Sequence, residues 1–378
     1  MSATKRYQLV DKIDEIFNAF SKAPSDIDRI ADTLSYERIA IRRADPRNVF
    51  LLVTKRLLRL IQILFLVPRV PRGATILFQY PREDVSGRLG FLLLSLLRSF
   101  RRIKLITLVH DLKDGMRETE EGQNSIWIAR ERKIKKWSDA FIVHNARMAE
   151  WAAAHGVAPE KTICLEIFDY LASTPMNHPA FSRAVTIAGN LDIGSRKSVY
   201  LTELRKITDV TWELYGPNFD PARIGGDNIA YKGCVQPDEL PQRLDHGFGL
   251  VWDGESVDTC SGPYGVYLKL NNPHKLSLYL ASGLPVIIWN EAAEAAFVEK
   301  HKVGLTVASL RELPTVLASI TEEQYATLAA NARDIGNRLR AGSFTKAAVE
   351  AAERLIRSGD PRHPCADASA AGCGCATR

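Results

Sequence analysis

The residues best equipped for chemistry stand together in Asn271-Asn272-Pro273-His274-Lys275-Leu276-Ser277. Asparagine and proline interrupt regular structure, and proline is tolerated at or just before the first turn of a helix. A helix is therefore expected to begin near Pro273, with Lys275 and Ser277 in its first turn. The backbone N–H groups there have no partner within the helix. Free N–H groups beside a lysine are what a phosphate needs. The same residues would serve equally as an ordinary cap on a helix that binds nothing.

The elements around this start must hold it in place. Leu276, Leu278, Tyr279 and Leu280 form an apolar face, Ala281-Ser282-Gly283 ends the helix, and Pro285-Val286-Ile287-Ile288-Trp289 follows. That last run is short, β-branched and uninterrupted, as for a strand covered on both faces of a parallel sheet. The helix start then opens at the carboxyl edge of the sheet. Three earlier apolar runs end in polar pairs: Thr75–Phe78 before Gln79-Tyr80, Lys104–Val109 before His110-Asp111, and Ala140–Val143 before His144-Asn145. Strands alternating with helices imply a parallel α/β sheet, whose polar residues collect at the carboxyl ends of the strands. Three pairs in register predict a lined cleft.

After Ala172–Pro179, a turn-rich boundary, a second alternation begins with Val185–Ala188, Trp212–Tyr215, Ile229–Gly233 and Phe248–Gly254, and helices run from Leu310 to about Ile356. Gly189-Asn190-Leu191 lacks the full G-x-G-x-x-G fingerprint, and no acid follows at the usual distance, which argues against a dinucleotide cofactor. A length of 378 residues suits two domains, and 46% hydrophobic with 25% charged residues is a globular composition. No segment has the ~18 uninterrupted apolar residues of a spanning helix. The N-terminus has acids within its apolar stretch and no small-residue cleavage site, so a cytoplasmic protein is expected. Cys164, Cys234 and Cys260 are scattered singly and read as free thiols packed as small hydrophobes. Cys365, Cys373 and Cys375 lie in an Ala/Gly/Ser-rich tail, 361–378, expected to be disordered.

Residues Tyr7 to Ala40 read as helical, with Leu9, Ile13, Ile16, Phe17 and Phe20 recurring at three and four. Asp26-Ile27-Asp28 resembles a metal-binding Asp-x-Asp, but its place on a helical face beside Arg29 favours a solvated surface, so no metal site is assigned. The net charge of +6 is unevenly placed: between Leu51 and His110 eleven Lys and Arg residues face only Glu83 and Asp84. Two apolar helices in this region, 49–67 and 89–102, carry basic flanks. They fit the interface of an anionic membrane, or equally core helices with a wet edge. No nucleic-acid module accompanies the basic residues.

The segments AGNL, LYGP, YKGC, FGLVWDG, GVYLKLNNPHKLSLYLASGLPVIIW and EAAEAAFVEKHKVGL, with Lys197 after the first, follow one another as in the bacterial glucosyltransferase-3-like and β-1,6-galactofuranosyltransferase-like proteins. ILFQYP, ITLVHDLKDGMR, FIVHNARM and IFDYL are similar more weakly. The resemblance covers about Lys22 to Arg340 and implies the α/β GT-B fold, two Rossmann-like parallel-sheet domains facing across a cleft. The expected division is an acceptor-binding domain over 1–174, a nucleotide-sugar-binding domain over 175–340 and a C-terminal helix over 341–360.

The resemblance further implies a hexosyltransferase taking galactofuranose or glucose from a UDP-sugar to a glycan or lipid-linked acceptor, with no cofactor and no tightly bound metal. Lys275 and Lys197 would meet the diphosphate, although Arg196 competes for that place. Tyr215 and Gly216 would line the uracil end, and Asn190, Asn271, Asn272 and Ser277 would bond ribose or phosphate. Asp253 would accept from sugar hydroxyls or simply make an Asp-Gly turn. In a reaction that inverts the anomeric centre, Asp111 would deprotonate the acceptor hydroxyl with help from His110. Such an enzyme would work at the inner face of the plasma membrane, and a homo-oligomer is compatible with it. A nucleotide-sugar epimerase and a non-catalytic partner subunit are the alternatives. Where such domains usually open with a strand, Met1–Phe20 here reads as helix.

Overall fold

The computed structural model describes residues 4–12, 19–42, 60–82, 87–116 and 125–358. Two six-stranded sheets, parallel throughout, organise them. The first has the order β2-β1-β3-β4-β5-β6, with β1 at Arg6–Lys12, β2 at Glu37–Arg42, β3 at Thr75–Tyr80, β4 at Lys104–Val109, β5 at Ala140–Val143 and β6 at Thr162–Cys164. The second has the order β12-β11-β10-β7-β8-β9. Here β7 is Ala180–Ala188, β8 Trp212–Tyr215, β9 Ile229–Tyr231, β10 His246–Val251, β11 Val286–Trp289 and β12 Gly304–Val307.

The central strands are buried along almost their whole length, as their unbroken apolar sequences require. In each sheet the strand order reverses once, between β1 and β3 in the first and between β7 and β10 in the second. At such a point the flanking connections diverge and leave a crevice beyond the carboxyl ends of the strands. The expected site residues Gly189-Asn190 and Asp253 follow β7 and β10, on either side of the second crevice.

The helix His274–Ala281, with Pro273 as its cap, begins where the sequence placed it. Tyr279 anchors it to the sheet: its hydroxyl accepts from the Ala188 backbone N–H at 2.8 Å, at the end of β7. Its ring lies so close to β10 that a Cβ on Gly249 would stand 2.2 Å from Tyr279 Cγ. A glycine on the strand therefore lets the helix pack closely on β10, with Lys275 reaching Asp253 at the crevice.

Several expectations are corrected. The N-terminal stretch is strand, helix, strand, not one helical region: Ala19–Thr33 is the helix between β1 and β2. Leu9 fits a helical period with Ile13 by spacing, but β2 and β3 pair with β1 on either side and bury Leu9 and Val10. Asp26 and Asp28 are not solvated. Asp26 accepts from Lys22 Nζ at 2.8 Å, and Asp28 takes both terminal nitrogens of Arg82 at 2.7 and 2.6 Å. Cys164 is disulfide-bonded and not a free thiol, because sequence spacing of lone cysteines says nothing about which approach in space. Of the basic helix expected over 49–67, residues 49–59 lie outside the described residues, as does the tail, and helix is present over 60–69.

The last helix, Ser343–Ser358, crosses back to the first domain. Its Ala348, Val349 and Ala352 pack in one cluster with Leu77, Ile106 and Ile142 of the first sheet. Asp169 receives its first turn, accepting from the Phe344 and Thr345 backbone N–H groups at 3.3 and 2.6 Å.

Candidate active site

At the second crevice Asp253, 3% exposed, lies between two lysines. Lys275 Nζ donates to its Oδ1 at 2.7 Å and to the Trp252 carbonyl at 2.9 Å. Lys197 Nζ stands 3.5 Å from Oδ2. Asp253 beside it, and Asp111 reaching from the first domain, hold the Lys197 ammonium protonated and raise its pKa. Two lysine ammonium groups gathered on Asp253 beside the helix start are the kind of donors a diphosphate requires. Arg196 takes no part, since its guanidinium is engaged by Glu255 at 2.6 Å.

Around this centre the expected residues divide. Gly216 follows β8 with φ at +140°, and a Cβ there would come 1.8 Å from the Gly189 carbonyl oxygen, so the end of β8 can approach that of β7 only with a glycine at 216. Tyr215 is buried and sends its hydroxyl to the Arg243 carbonyl at 3.4 Å, so this segment turns backbone, not the phenol, toward the crevice. Asn190 is exposed and spends its side-chain oxygen on the Asp192 N–H and the Asn218 amide. Asn272 is structural in part, its N–H donating to His144 Nδ1 at 2.9 Å and its amide to the Glu166 carbonyl at 3.1 Å. Asn271 Oδ1, Asn272 Oδ1, His274 Nε2 and Ser277 Oγ are buried without a hydrogen-bond partner, four such atoms within seven residues. Buried polar atoms are ordinarily satisfied, so their concentration marks this helix start as built for polar company.

The opposite wall comes from the first domain. His110 follows β4 and stacks on Phe168 with ring centres 5.5 Å apart. Its Nε2 contacts Gln79 Oε1 at 2.7 Å. Gln79 Nε2 already donates to Asp28 Oδ1 and to the Pro24 carbonyl, so the amide's oxygen must face the histidine. Nε2 of His110 therefore carries the proton and Nδ1 the lone pair. Burial, and next the Arg82 charge, push the His110 pKa well below its ordinary value and keep the ring neutral. Asp111 receives the Tyr267 hydroxyl at 3.3 Å, and that same oxygen accepts from the Leu112 N–H at 3.0 Å.

Contacts missed by sequence reasoning join the two walls. Asn145 donates to the Leu270 carbonyl and to Glu294 Oε1, at 3.1 and 2.8 Å. Glu294 is 1% exposed, and burial pushes its carboxyl up to about 8, so it is protonated at neutral pH. Its only sequence signal was an acid opening the helix after β11. Gln79 was visible as one of the edge residues, but its partner Asp28 is 51 positions away.

Comparison with known proteins decides the family. Residues 185–352 match the family model "Glucosyltransferase 3-like, C-terminal domain", and residues 7–167 match its N-terminal counterpart. The chain is a glucosyltransferase 3-like protein. It is 34% identical over 264 residues to the β-1,6-galactofuranosyltransferase WbbI of Escherichia coli K12, covering 68% of this chain and 74% of that one. It is also 27% identical over 244 residues to glucosyltransferase 3 of Streptococcus gordonii, covering 64% and 69%. Among solved structures, sucrose-phosphate synthase from Thermosynechococcus elongatus superposes with a TM-score of 0.60 at 14% identity, covering 93% of this chain and 98% of that one. Anabaena HepE in complex with UDP-glucose superposes at 0.58 and 14%, covering 92% and 100%. These likenesses establish the GT-B fold, and the family makes the glucosyltransferase 3-like chain a glycosyltransferase.

Proposed function

We propose that this glycosyltransferase moves a hexosyl residue, galactofuranose or glucose, from a UDP-sugar to a hydroxyl of a glycan or lipid-linked glycan. The observation that carries the reading is the pair of lysines, Lys197 and Lys275, gathered on Asp253 at the reversal point of the second sheet. Named relatives that are a galactofuranosyltransferase and a glucosyltransferase support the sugar class.

The diphosphate lies against Lys275, Lys197 and the first turn of the helix His274–Ala281, while uracil reaches the backbone at Gly216 beside Tyr215. Asn190, Asn271, Asn272 and Ser277 border the ribose and phosphates, and Asp253 orients the sugar. Asp111 takes the proton of the acceptor hydroxyl, with neutral His110 beside it. As the acceptor oxygen bonds to the anomeric carbon, the bond from that carbon to the diphosphate breaks and UDP leaves with the electron pair. The lysines stabilise that departing charge, so the reading includes no tightly held metal.

A thermal-shift titration with UDP, UMP, ADP and GDP, with and without EDTA, tests it. UDP at a hundred times its dissociation constant should stabilise the protein by about 2.7 kcal/mol, unaffected by EDTA and largely lost in Lys275→Ala. No response to any nucleotide would overturn the reading.

A further inference from the structure

The helix over 60–69 is apolar on both sides. Its inner seam, Ile63, Leu66, Val67 and Val70, joins the core under the first sheet. Its outer seam should be polar in a helix that faces only water. Instead it presents Ile61, Leu64, Phe65 and Pro68, spaced at three and four, with Leu64 65% and Phe65 63% exposed. Single exposed apolar residues are ordinary, but a stripe four residues long is not.

The end of this stripe is basic. Arg101 Nε donates to the Val70 carbonyl at 2.6 Å and the Gly73 N–H to the Arg101 carbonyl at 2.9 Å, which brings the end of the helix Arg88–Leu96 and its continuation to the same spot. Arg69, Arg72 and Arg102, all exposed, therefore gather there with Phe100, itself 63% exposed. Residues 60–82 and 87–109 contain no acidic residue. Other basic residues nearby are spoken for, Arg98 and Lys104 by Asp139 and Arg82 by Asp28.

We propose that this face docks on an anionic lipid surface, with the outer stripe in the interface and Arg69, Arg72 and Arg102 at the headgroups. An apolar strip flanked by arginines matches the two layers such a surface offers, hydrocarbon below and negative charge above. Nucleic acid would match the charge but not the stripe. The proposal deepens the acceptor half of the function proposed above, because a docked first domain would meet a lipid-linked acceptor, and it is independent of the donor half.

The test is co-sedimentation of the full chain, without nucleotide, with vesicles of phosphatidylcholine alone or mixed with phosphatidylglycerol. The native protein should bind the mixed vesicles and release at high salt. Leu64→Glu/Phe65→Glu should weaken binding at least about tenfold. Arg69→Ala/Arg72→Ala/Arg102→Ala should weaken it on the order of a hundredfold, at about fivefold for each charge. A charge-matched change on the second domain, Arg205→Ala/Lys206→Ala/Lys300→Ala, should leave binding at the native level. All these positions are exposed, so each variant should melt as the native protein does. Lys275→Ala should bind vesicles normally even if it has lost UDP, which separates this proposal from the donor reading. Absence of binding to the mixed vesicles, or undiminished binding by Leu64→Glu/Phe65→Glu, would overturn it. So would a native dimer in sedimentation velocity that this variant dissociates, since a second copy would then cover the stripe.

Discussion

His110 shows how a single buried contact decides chemistry. Gln79 is fixed by two acceptors on one side, Asp28 and the Pro24 carbonyl, and so leaves the His110 ring only one neutral tautomer. Replacing His110 with Ala should lower kcat by ~10²- to 10⁴-fold if the ring assists proton transfer. Gln79→Leu keeps the ring but frees its tautomer. It should therefore lower kcat and shift the pH profile while leaving the KM for donor near its native value, which steady-state kinetics across pH would reveal. Glu294 gives a second test. Its carboxyl is protonated in the fold up to about pH 8 but ionised in the unfolded chain above ~4.3, so its contribution to stability falls as pH rises across that window. Glu294→Gln retains an oxygen for Asn145 and removes the titration. The variant should melt higher than the native protein near pH 8, and the two should converge near pH 4. Equal pH dependence of Tm in both would disprove it.

At the scale of elements, the helix His274–Ala281 and strand β10 form one unit, locked by Tyr279 against Gly249 and the Ala188 N–H. Tyr279→Phe leaves that buried N–H without its acceptor and should cost about 1–3 kcal/mol in denaturant unfolding. Because the same contact holds the helix start over the crevice, UDP affinity should fall with it. Gly216→Ala should be worse, since its methyl would meet the Gly189 carbonyl at a φ that a side chain resists. The strand ends carrying Gly189 and Gly216 would have to separate, and soluble yield together with Tm would report the damage.

The whole molecule is one chain passing twice between its domains, once before β7 and again into the helix Ser343–Ser358. That helix covers a face of the first sheet, and Asp169 holds its first turn. A chain ending at Gly342 should therefore expose Leu77, Ile106 and Ile142, bind hydrophobic dye and lose the cooperative melt of the full protein. Acid should loosen the two halves. His144 accepts the Asn272 N–H across the cleft as a neutral ring, and burial lowers its pKa to about 4. The unfolded chain binds that proton from about pH 6.5 downward, so stability is lost as pH falls from there toward 4.

The polar pairs at strand ends, the helix start at Pro273 and the two alternating halves were legible in the sequence because strand burial and helix capping are written in local residue types. Segments such as AGNL, LYGP and FGLVWDG, in that order, carried the family resemblance. The first strand was not legible, since Leu9 alternates with Tyr7 as in a strand and also stands four residues before Ile13 as in a helix, and only pairing with β2 and β3 selects one. The burial of Asp26 and Asp28, the tautomer of His110 and the proton on Glu294 were equally hidden. Each depends on a partner or a wall of atoms many residues distant, and charge state responds to the surroundings that folding assembles. Residue types thus determined what chemistry the chain can offer, and tertiary contacts decided which groups hold charge and which of them meet.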